Sequence, residues 1–289
     1  SEQGVNGMNE NLKALSYALR KNVLDMVYRA KTGHIGGDFS VMEILVSLYL
    51  KEMNISPENQ DDPDRDYFVM SKGHSVEAYY SVLAAKGFLD IDDVIRNFST
   101  FGSKYIGHPN NKLPGIEMNS GSLGHGLPVC VGIAKACQMD GRPSRVYTVM
   151  GDGELAEGSV WEGVMAASQY RLDNLCAVVD RNRLQISGST EEVMHHDDLA
   201  ARFAAFGWNV LSVAGNEIDA LLDAFEAARE TKGCPTVVIA NTTKGCGVSF
   251  MENSAGWHHK VPDAKQYQAA VKELSERELR SLSAHNKEA

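Results

Sequence analysis

The sequence has no long apolar run, no pattern of paired cysteines and no excess of positive charge. No segment approaches the roughly 18 apolar residues of a transmembrane helix, and no signal peptide is visible, so we expect a cytoplasmic protein without a membrane partner. The five cysteines include no CxxC pair, and their odd number does not fit a disulfide framework. With a net charge of −10 and no basic run, the chain is not expected to bind nucleic acid.

Helical and strand patterns alternate along the 289 residues, which is typical of one large α/β domain. Five apolar strand patterns are separated by helical ones, at 67–70, 146–150, 175–179, 209–213 and 236–240. This alternation predicts a doubly wound, mostly parallel sheet with helices on both faces. We assign residues 8–289 to this single domain and treat Ser1 to Gly7, which precede Met8, as an appended or disordered segment.

Three expectations concern the segments between these strands. Thr32 to Gly37, with three glycines and one histidine, is expected to be a flexible loop. Ser40 is expected to cap a helix from Val41 to about Met53. Gly102 to Ser122 has no periodicity, and loops of this length inside compact domains are usually functional or disordered.

The segment from Arg145 to Gly188 has the pattern of a βαβ unit with polar residues after each strand. Asp152 follows the first of these strands and Asn182 follows the second. Open α/β sheets bind ligands at the carboxyl ends of their strands, where residues far apart in sequence meet. A carboxylate and an amide oxygen there predict a site for Mg²⁺ or Ca²⁺, and Mg²⁺ commonly shares its shell with a phosphate group. By itself, Gly151-Asp152-Gly153 is also consistent with a simple turn.

Several other loops carry histidine or glycine residues suited to binding an anion. The histidines are His34, His74, His108 and the adjacent pair His258 and His259, and a glycine-rich loop runs from Gly121 to Gly126. Glycine lets backbone N–H groups approach an anion, and a helix that starts after this loop adds a dipole that favours phosphate. Each histidine alone is more commonly a simple hydrogen-bonding residue, but together these loops predict one functional site. The histidines lack HExxH spacing and cysteine partners, so no zinc site is expected.

The motifs of these loops are similar to those of a known family. The Gly151-Asp152-Gly153 turn followed by Asn182 resembles the thiamine diphosphate motif of the thiamine enzymes. More narrowly, the chain resembles the amino-terminal, diphosphate-binding half of a transketolase. It carries the family's motifs in the family's order from Thr32 to Pro262: TGHIGG, SKGHS, GHPN, GSLGHG, GDGELAEG, DRNRLQISG and GWHHKVP. The resemblance implies the thiamine-diphosphate-binding fold.

The resemblance also implies a role for each matching residue. The metal ion would be held by Asp152, Asn182 and the Leu184 carbonyl. Cofactor contacts would come from His74, Gly121, Ser122, Leu123, His125, Gly151, Gly153, Glu154, Asn182 and His258. Proton transfers on the sugar would involve His34, His108 and His258. Glu157, which we also count among the catalytic residues, would join an acidic network at a subunit interface.

The chain departs from the family pattern at two motifs. In the glycine-rich loop, the family commonly has proline where this chain has Ser122 and glutamine where it has His125. The His258-His259 segment is longer than the usual His-Gly-Ala-Pro. We choose His258 over His259 as the active-site residue because it directly follows Trp257.

Transketolases that are one chain continue into a pyrimidine-binding domain and a C-terminal domain. The present sequence ends after the first domain, so the resemblance implies a split enzyme with a separate C-terminal subunit. That partner would supply the glutamate that activates the cofactor and most arginines that bind the sugar phosphate. We therefore expect the chain to be inactive alone and to form a dimer of heterodimers with it.

The implied activity belongs to carbohydrate metabolism: transfer of a two-carbon ketol unit from a ketose phosphate to an aldose phosphate, with thiamine diphosphate and Mg²⁺ or Ca²⁺. Three alternatives stay open: a subunit of a 2-oxo acid dehydrogenase of the E1 type, a non-catalytic binding or regulatory subunit, and a transketolase for an unusual sugar. The SKGHS, GHPN and GSLGHG loops favour a transketolase over a dehydrogenase. The intact pair of Asp152 and Asn182, with the full set of histidines, favours an enzyme over a regulatory subunit.

Overall fold

A parallel sheet of five strands forms the centre of the computed structural model, which describes residues 2–185, 188–195 and 198–288. In chain order the strands are β1 (Tyr67–Met70), β2 (Val146–Gly151), β3 (Leu175–Arg181), the short hairpin strands β4 (Leu184–Gln185) and β5 (Gly188–Ser189), β6 (Asn209–Ala214) and β7 (Thr236–Asn241). The order across the main sheet is β1-β2-β3-β7-β6, and every neighbouring pair is parallel. The predicted parallel sheet is therefore confirmed.

Helices cover both faces of this sheet, as predicted. They are α1 (Glu2–Ala30), α2 (Ile35–Ser47, followed by a π-helical turn at Leu48–Glu52), α3 (Val76–Lys86), α4 (Ile91–Asn97), α5 (Gly126–Met139), α6 (Gly158–Gln169), α7 (Thr190–Val193), α8 (Leu199–Ala205), α9 (Ile218–Glu230) and α10 (Ala264–Glu288). Over the described residues, none of them is long and apolar enough to cross a membrane.

Alternate residues of the central strands face two separate apolar layers. In β2, Tyr147 and Val149 pack in the layer that contains buried residues of α1, α2, α3, α9 and α10. Val146 and Met150 pack in the opposite layer, with residues of α5, α6 and α8. Burial on both faces explains why these strands are continuous apolar runs rather than alternating ones.

Helix α2 begins earlier than the sequence indicated. It starts at Ile35 with His34 as its N-cap, so Gly36-Gly37 and Ser40 lie inside the helix rather than in a loop and at a cap. The glycines allow close packing instead of a turn: a Cβ atom on Gly36 would stand 2.9 Å from the carbonyl oxygen of Trp257. The predicted loop is therefore limited to residues 32–34, and the expected cap at Ser40 was wrong.

The carboxyl ends of the strands lie together at one edge of the sheet. Gly151 at the end of β2 is in register with Asp180 near the end of β3, and β3 is likewise parallel to β7. The segments that follow these strands therefore start close together. Residues 98–125, between α4 and α5, contain no α-helix or β-strand, in agreement with the long loop predicted there.

Candidate active site

A cavity of about 440 Å³ lies at this edge of the sheet. Its volume falls within the roughly 300–1,000 Å³ of typical small-molecule sites. The structure brings together most of the residues predicted from sequence: His34, His74, Gly121, Leu123, Gly151, Asp152, Gly153, Glu154, Asn182, Leu184, His258 and His259 all line the cavity. Lys72, Lys244 and Gln185 also line it and were not predicted.

Asp152, Asn182 and Leu184 bring hard oxygen atoms to the wall of the cavity. The backbone N–H groups of Gly153 and Arg183 donate to the Asp152 carboxylate at 3.0 and 2.6 Å. The Leu184 N–H donates to Asn182 Oδ1 at 3.1 Å. Each acceptor oxygen retains a lone pair, so the three residues are suitable ligands for a divalent cation.

The electrostatics at Asp152 also fit a cation. Asp152 is only 3% exposed, and burial, followed by the nearby Asp180 carboxylate, raises its pKa to about 6. Asp180 is matched by Lys72, whose Nζ lies 2.6 Å from Asp180 Oδ2, whereas Asp152 forms no ion pair within the described residues. A divalent cation would supply the missing charge, and the oxygen donors fit Mg²⁺ or Ca²⁺.

Two buried lysines face the cavity just beyond the carboxyl ends of β1 and β7. Lys72 is neutralised by Asp180. Lys244 donates to the Leu184 carbonyl at 3.3 Å, and its Nζ lies 2.8 Å from His258 Nδ1. Burial, followed by the charge of Lys72, lowers the pKa of Lys244 to about 8. Lys244 therefore offers a positive charge to an anion, and its place just after a parallel strand was the signal that could have revealed it.

The imidazole rings gather around His34. Its ring centroid lies 4.2 Å from that of His259, 5.3 Å from His74, 5.7 Å from His258 and 6.4 Å from His108. Burial and neighbouring histidines lower the pKa of His34 to about 4, and burial and Lys244 lower that of His258 to about 3. Both rings are therefore neutral near pH 7, and each can donate one hydrogen bond and accept another.

Ring nitrogens of His34, His258 and His259 lie within 4.8 Å of one another, close enough to share a metal ion. The fold thus gathers histidines that showed no zinc spacing in the sequence. Lys244, 2.8 Å from His258 Nδ1, competes for the lone pair that a metal ion would need there. We therefore interpret the cluster as a hydrogen-bonding surface, and the absence of a zinc site stays a prediction.

Glu154 connects three of the loops around the cavity. Its carboxylate accepts hydrogen bonds from the Gly124 N–H at 2.9 Å, the Gly151 N–H at 3.1 Å and the Ser71 hydroxyl. Burial raises its pKa. This predicted cofactor residue therefore also holds the glycine-rich loop against the turn after β2.

Gly121 must be glycine because of His108. Its φ angle is +142°, and a Cβ atom would stand 2.7 Å from His108 Cδ2. His108 does not line the cavity itself, but its ring packs behind Gly121 and beside His34.

Three further predicted residues, besides His108, lie outside the cavity. Ser122, His125 and Glu157 are exposed at the surface beside the glycine-rich loop. The His125 ring nitrogen Nδ1 is 3.2 Å from the carbonyl oxygens of Ser122 and Leu123, and Glu157 is the N-cap residue of α6. Their predicted roles in cofactor binding and at an interface stay predictions.

The sequence matches a family model over most of its length, namely the thiamine diphosphate binding domain of transketolase, over residues 12–276. It is 50% identical to an apulose-4-phosphate transketolase subunit from Phocaeicola vulgatus, over 93% of this chain and 95% of that protein. It is 41% identical to the protein of the same name from Actinobacillus succinogenes, over 92% and 97% of the two chains. A 6-deoxy-6-sulfo-D-fructose transketolase subunit of a Clostridium species is 38% identical, over 91% and 96%.

Solved structures of transketolases have a similar fold. The enzyme from Campylobacter jejuni superposes with a TM-score of 0.86 at 28% identity, over 96% of this chain and 47% of that one. A Pichia stipitis transketolase in complex with sedoheptulose 7-phosphate gives a TM-score of 0.83 at 29% identity, over 96% and 45%. The chain thus spans just under half the length of these structures.

Proposed function

The chain belongs to the transketolase family, and we propose that it acts as the cofactor-binding subunit of a two-subunit enzyme that transfers a two-carbon ketol unit between sugar phosphates. One observation carries the proposal: hard oxygen donors, a buried lysine and neutral imidazoles line the same cavity. When bound, thiamine diphosphate supplies the nucleophilic carbon that takes the ketol unit from a ketose and passes it to an aldose. The cofactor itself is that of the matching family domain.

The metal and the diphosphate would be bound at the ends of β2, β3 and β7. Asp152, Asn182 and the Leu184 carbonyl would hold Mg²⁺ or Ca²⁺, and the cation would neutralise the buried Asp152 carboxylate. Lys244 and His258, which lie 2.8 Å apart, would bind the diphosphate oxygens through charge-assisted hydrogen bonds.

The sugar would bind toward His34, His108 and His259. A neutral imidazole such as that of His34 suits this place because it can hand a proton to one sugar oxygen and accept one from another. His258 would bind the diphosphate, because it lies beside Lys244. His259 would bind the sugar, because its ring is only 4.2 Å from that of His34.

We propose that the donor is a ketose phosphate, and apulose 4-phosphate is the first to test. The 50% identical relative is named for that substrate, whereas the 38% identical relative is named for a sulfonated ketose. The sulfonated ketose is therefore the alternative donor substrate to compare with apulose 4-phosphate.

We propose that the partner is a separate C-terminal subunit, because the relatives named as subunits match this chain over 95% to 97% of their length. It would supply the pyrimidine-binding domain, the activating glutamate and the arginines for the sugar phosphate, in a dimer of heterodimers. The exposed Ser122, His125 and Glu157 would contact it. We place the assembly in the cytoplasm, where the free cysteines would stay reduced.

The test is to purify the chain with and without the partner and assay a panel of ketose and aldose phosphates. Ketol transfer by the pair, and none by the chain alone, is the expected result. Decarboxylation of 2-oxo acids would instead indicate the dehydrogenase alternative. Cofactor binding without turnover of any sugar would indicate a non-catalytic subunit.

A further inference from the structure

Two carboxylic acids meet in the interior behind His34 and outside the cavity lining. Asp38, in the first turn of α2, is 0% exposed, and Glu77, in the first turn of α3, is 1% exposed. Their side chains lie close together, since Asp38 accepts a hydrogen bond from the N–H of Ala78, the residue after Glu77, and each carboxyl group acts on the pKa of the other. Two ionised carboxylates have only acceptor atoms, so a hydrogen bond between them requires a proton on one of them.

The remaining bonds of the pair define where that proton lies. Asp38 Oδ1 accepts from the Ala78 N–H at 3.1 Å, and Glu77 Oε1 accepts from the His34 N–H at 3.2 Å. The other two oxygens, Asp38 Oδ2 and Glu77 Oε2, are buried and have no hydrogen-bond partner among the described residues. A proton shared between these two atoms would give each of them a hydrogen-bond partner.

The surroundings favour this single proton. Burial raises the pKa of both carboxyl groups, and the charge of Asp38 raises that of Glu77 further. Four groups face the pair. The charge of Lys72 acts on Asp38, and Tyr80 interacts with Glu77. The other two are the His34 backbone and the apolar Val27 of α1. Because Lys72 is already bound to Asp180, the described groups around the pair offer no unpaired cation to a second negative charge.

We propose that Asp38 and Glu77 form a proton-sharing carboxyl pair that positions His34 for its work on the sugar. His34 is the N-cap of α2 but makes no side-chain capping bond, so its backbone bond to Glu77 is the contact that holds it from α3. Gly33 lets the chain pass so close that a Cβ atom there would stand 2.5 Å from Glu77 Oε1. Asp38 and Glu77 are positioning residues, and the role of His34 rests on the function proposed above.

The proton can be observed directly in the isolated chain by infrared spectroscopy. At pH 8 the wild-type chain should show the C=O stretch of a protonated carboxylic acid, and Glu77→Gln should lose it, because the amide N–H then bonds to an ionised Asp38. Glu43→Gln is the control: Glu43 is equally buried on α2 but is paired with Arg20 at 2.6 Å, which with other neighbours lowers its pKa to about 2. An identical band in Glu77→Gln would overturn the shared proton.

The positioning role is tested in the assembled enzyme with saturating cofactor. Glu77→Gln should keep kcat/KM within about 3-fold of wild type. In the wild type, kcat/KM should decline at alkaline pH as the pair loses its shared proton, and Glu77→Gln should lose part of this decline because it has no shared proton to give up. Glu77→Ala should lower kcat/KM about 10²-fold, the cost of a small displacement of a reacting group, while cofactor affinity stays near wild type.

Equal kcat/KM in Glu77→Ala and Glu77→Gln would show that the pair only supports the fold. Were the transketolase assignment itself wrong, no variant would transfer a ketol unit, yet the infrared result would stand. The two failures are therefore distinguishable.

Discussion

Lys244 Nζ lies 2.8 Å from His258 Nδ1, while the other buried lysine, Lys72, is bound to Asp180 at 2.6 Å. One cation is thus neutralised within the protein and the other is available to a ligand. We predict that Lys244→Met weakens binding of thiamine diphosphate about 10- to 100-fold at pH 7, the value of a lost charge-assisted hydrogen bond. Isothermal titration calorimetry in the presence of Mg²⁺ measures this.

Lys232→Met is the control for that substitution, because Lys232 is an exposed lysine whose Nζ bonds only to the nearby Arg229 carbonyl among the described contacts. It should bind the cofactor like the wild type. Equal affinities for all three proteins would remove Lys244 from the diphosphate site.

The same lysine predicts a pH dependence. Because burial and Lys72 lower its pKa to about 8, Lys244 is charged below that pH and neutral above it. Cofactor affinity should therefore fall as the pH rises from 7 to 9. This loss should be absent in Lys244→Met, which is already uncharged, so a parallel decline in both proteins would point to another group.

The raised pKa of Asp152 predicts that Mg²⁺ binding stabilises the cofactor-free chain. Its pKa of about 6 is above the ordinary value for aspartate, so the folded state holds the proton more tightly than the unfolded state does. Stability should consequently be lost as the pH rises through about 6, and Mg²⁺ should restore part of it by neutralising the carboxylate. Thermal melts at pH 5 and pH 7.5, with and without Mg²⁺, measure both effects.

Asp152→Asn should abolish the Mg²⁺-dependent part of this stability and of cofactor affinity, because an amide offers the metal no charge. Its melting temperature should depend less on pH than that of the wild type. Undiminished cofactor affinity with Mg²⁺ would contradict the metal assignment.

Gly121 and Gly102 form a matched pair for testing the loop before α5. Both have positive φ angles, +142° and +77°, but a Cβ atom on Gly121 would stand 2.7 Å from His108 Cδ2, whereas one on Gly102 would meet nothing within 4 Å. Both alanine variants should show backbone strain of about 1–3 kcal/mol in unfolding experiments. Only Gly121→Ala should also lower kcat/KM, about 10²-fold, by displacing His108.

Much of this site could be predicted from sequence because its residues follow recognisable strands. Asp152 and Asn182 come after apolar runs, and the parallel register that places Gly151 opposite Asp180 brings them together. Lys244 has the same relation to β7, and that position was the available signal, but its burial was not predicted because a lysine in a loop is ordinarily solvated.

The Asp38–Glu77 pair could not be predicted, for a different reason. Acidic residues in the first turn of a helix are commonly exposed and stabilise the helix dipole. Their burial follows from the packing of α2 against α3, which no local pattern encodes. Packing also explains why the Gly36-Gly37 pair begins a helix rather than a loop: a Cβ atom on Gly36 would stand 2.9 Å from the Trp257 carbonyl oxygen, and one on Gly37 would stand 3.1 Å from the Ser75 hydroxyl oxygen.

His258 and His259 should separate cofactor binding from sugar binding. His258 is held beside Lys244, whereas the His259 ring lies 4.2 Å from that of His34. We predict that His258→Ala weakens thiamine diphosphate binding about 3- to 10-fold, the value of one hydrogen bond, with a small effect on the KM for the donor sugar. His259→Ala should raise that KM by a similar factor and leave cofactor affinity unchanged. Calorimetry and steady-state kinetics at saturating cofactor measure the two effects separately.

Because each variant is the control for the other, the opposite result would exchange the two roles. Equal effects of both variants on both quantities would show that the adjacent histidines act on a single ligand.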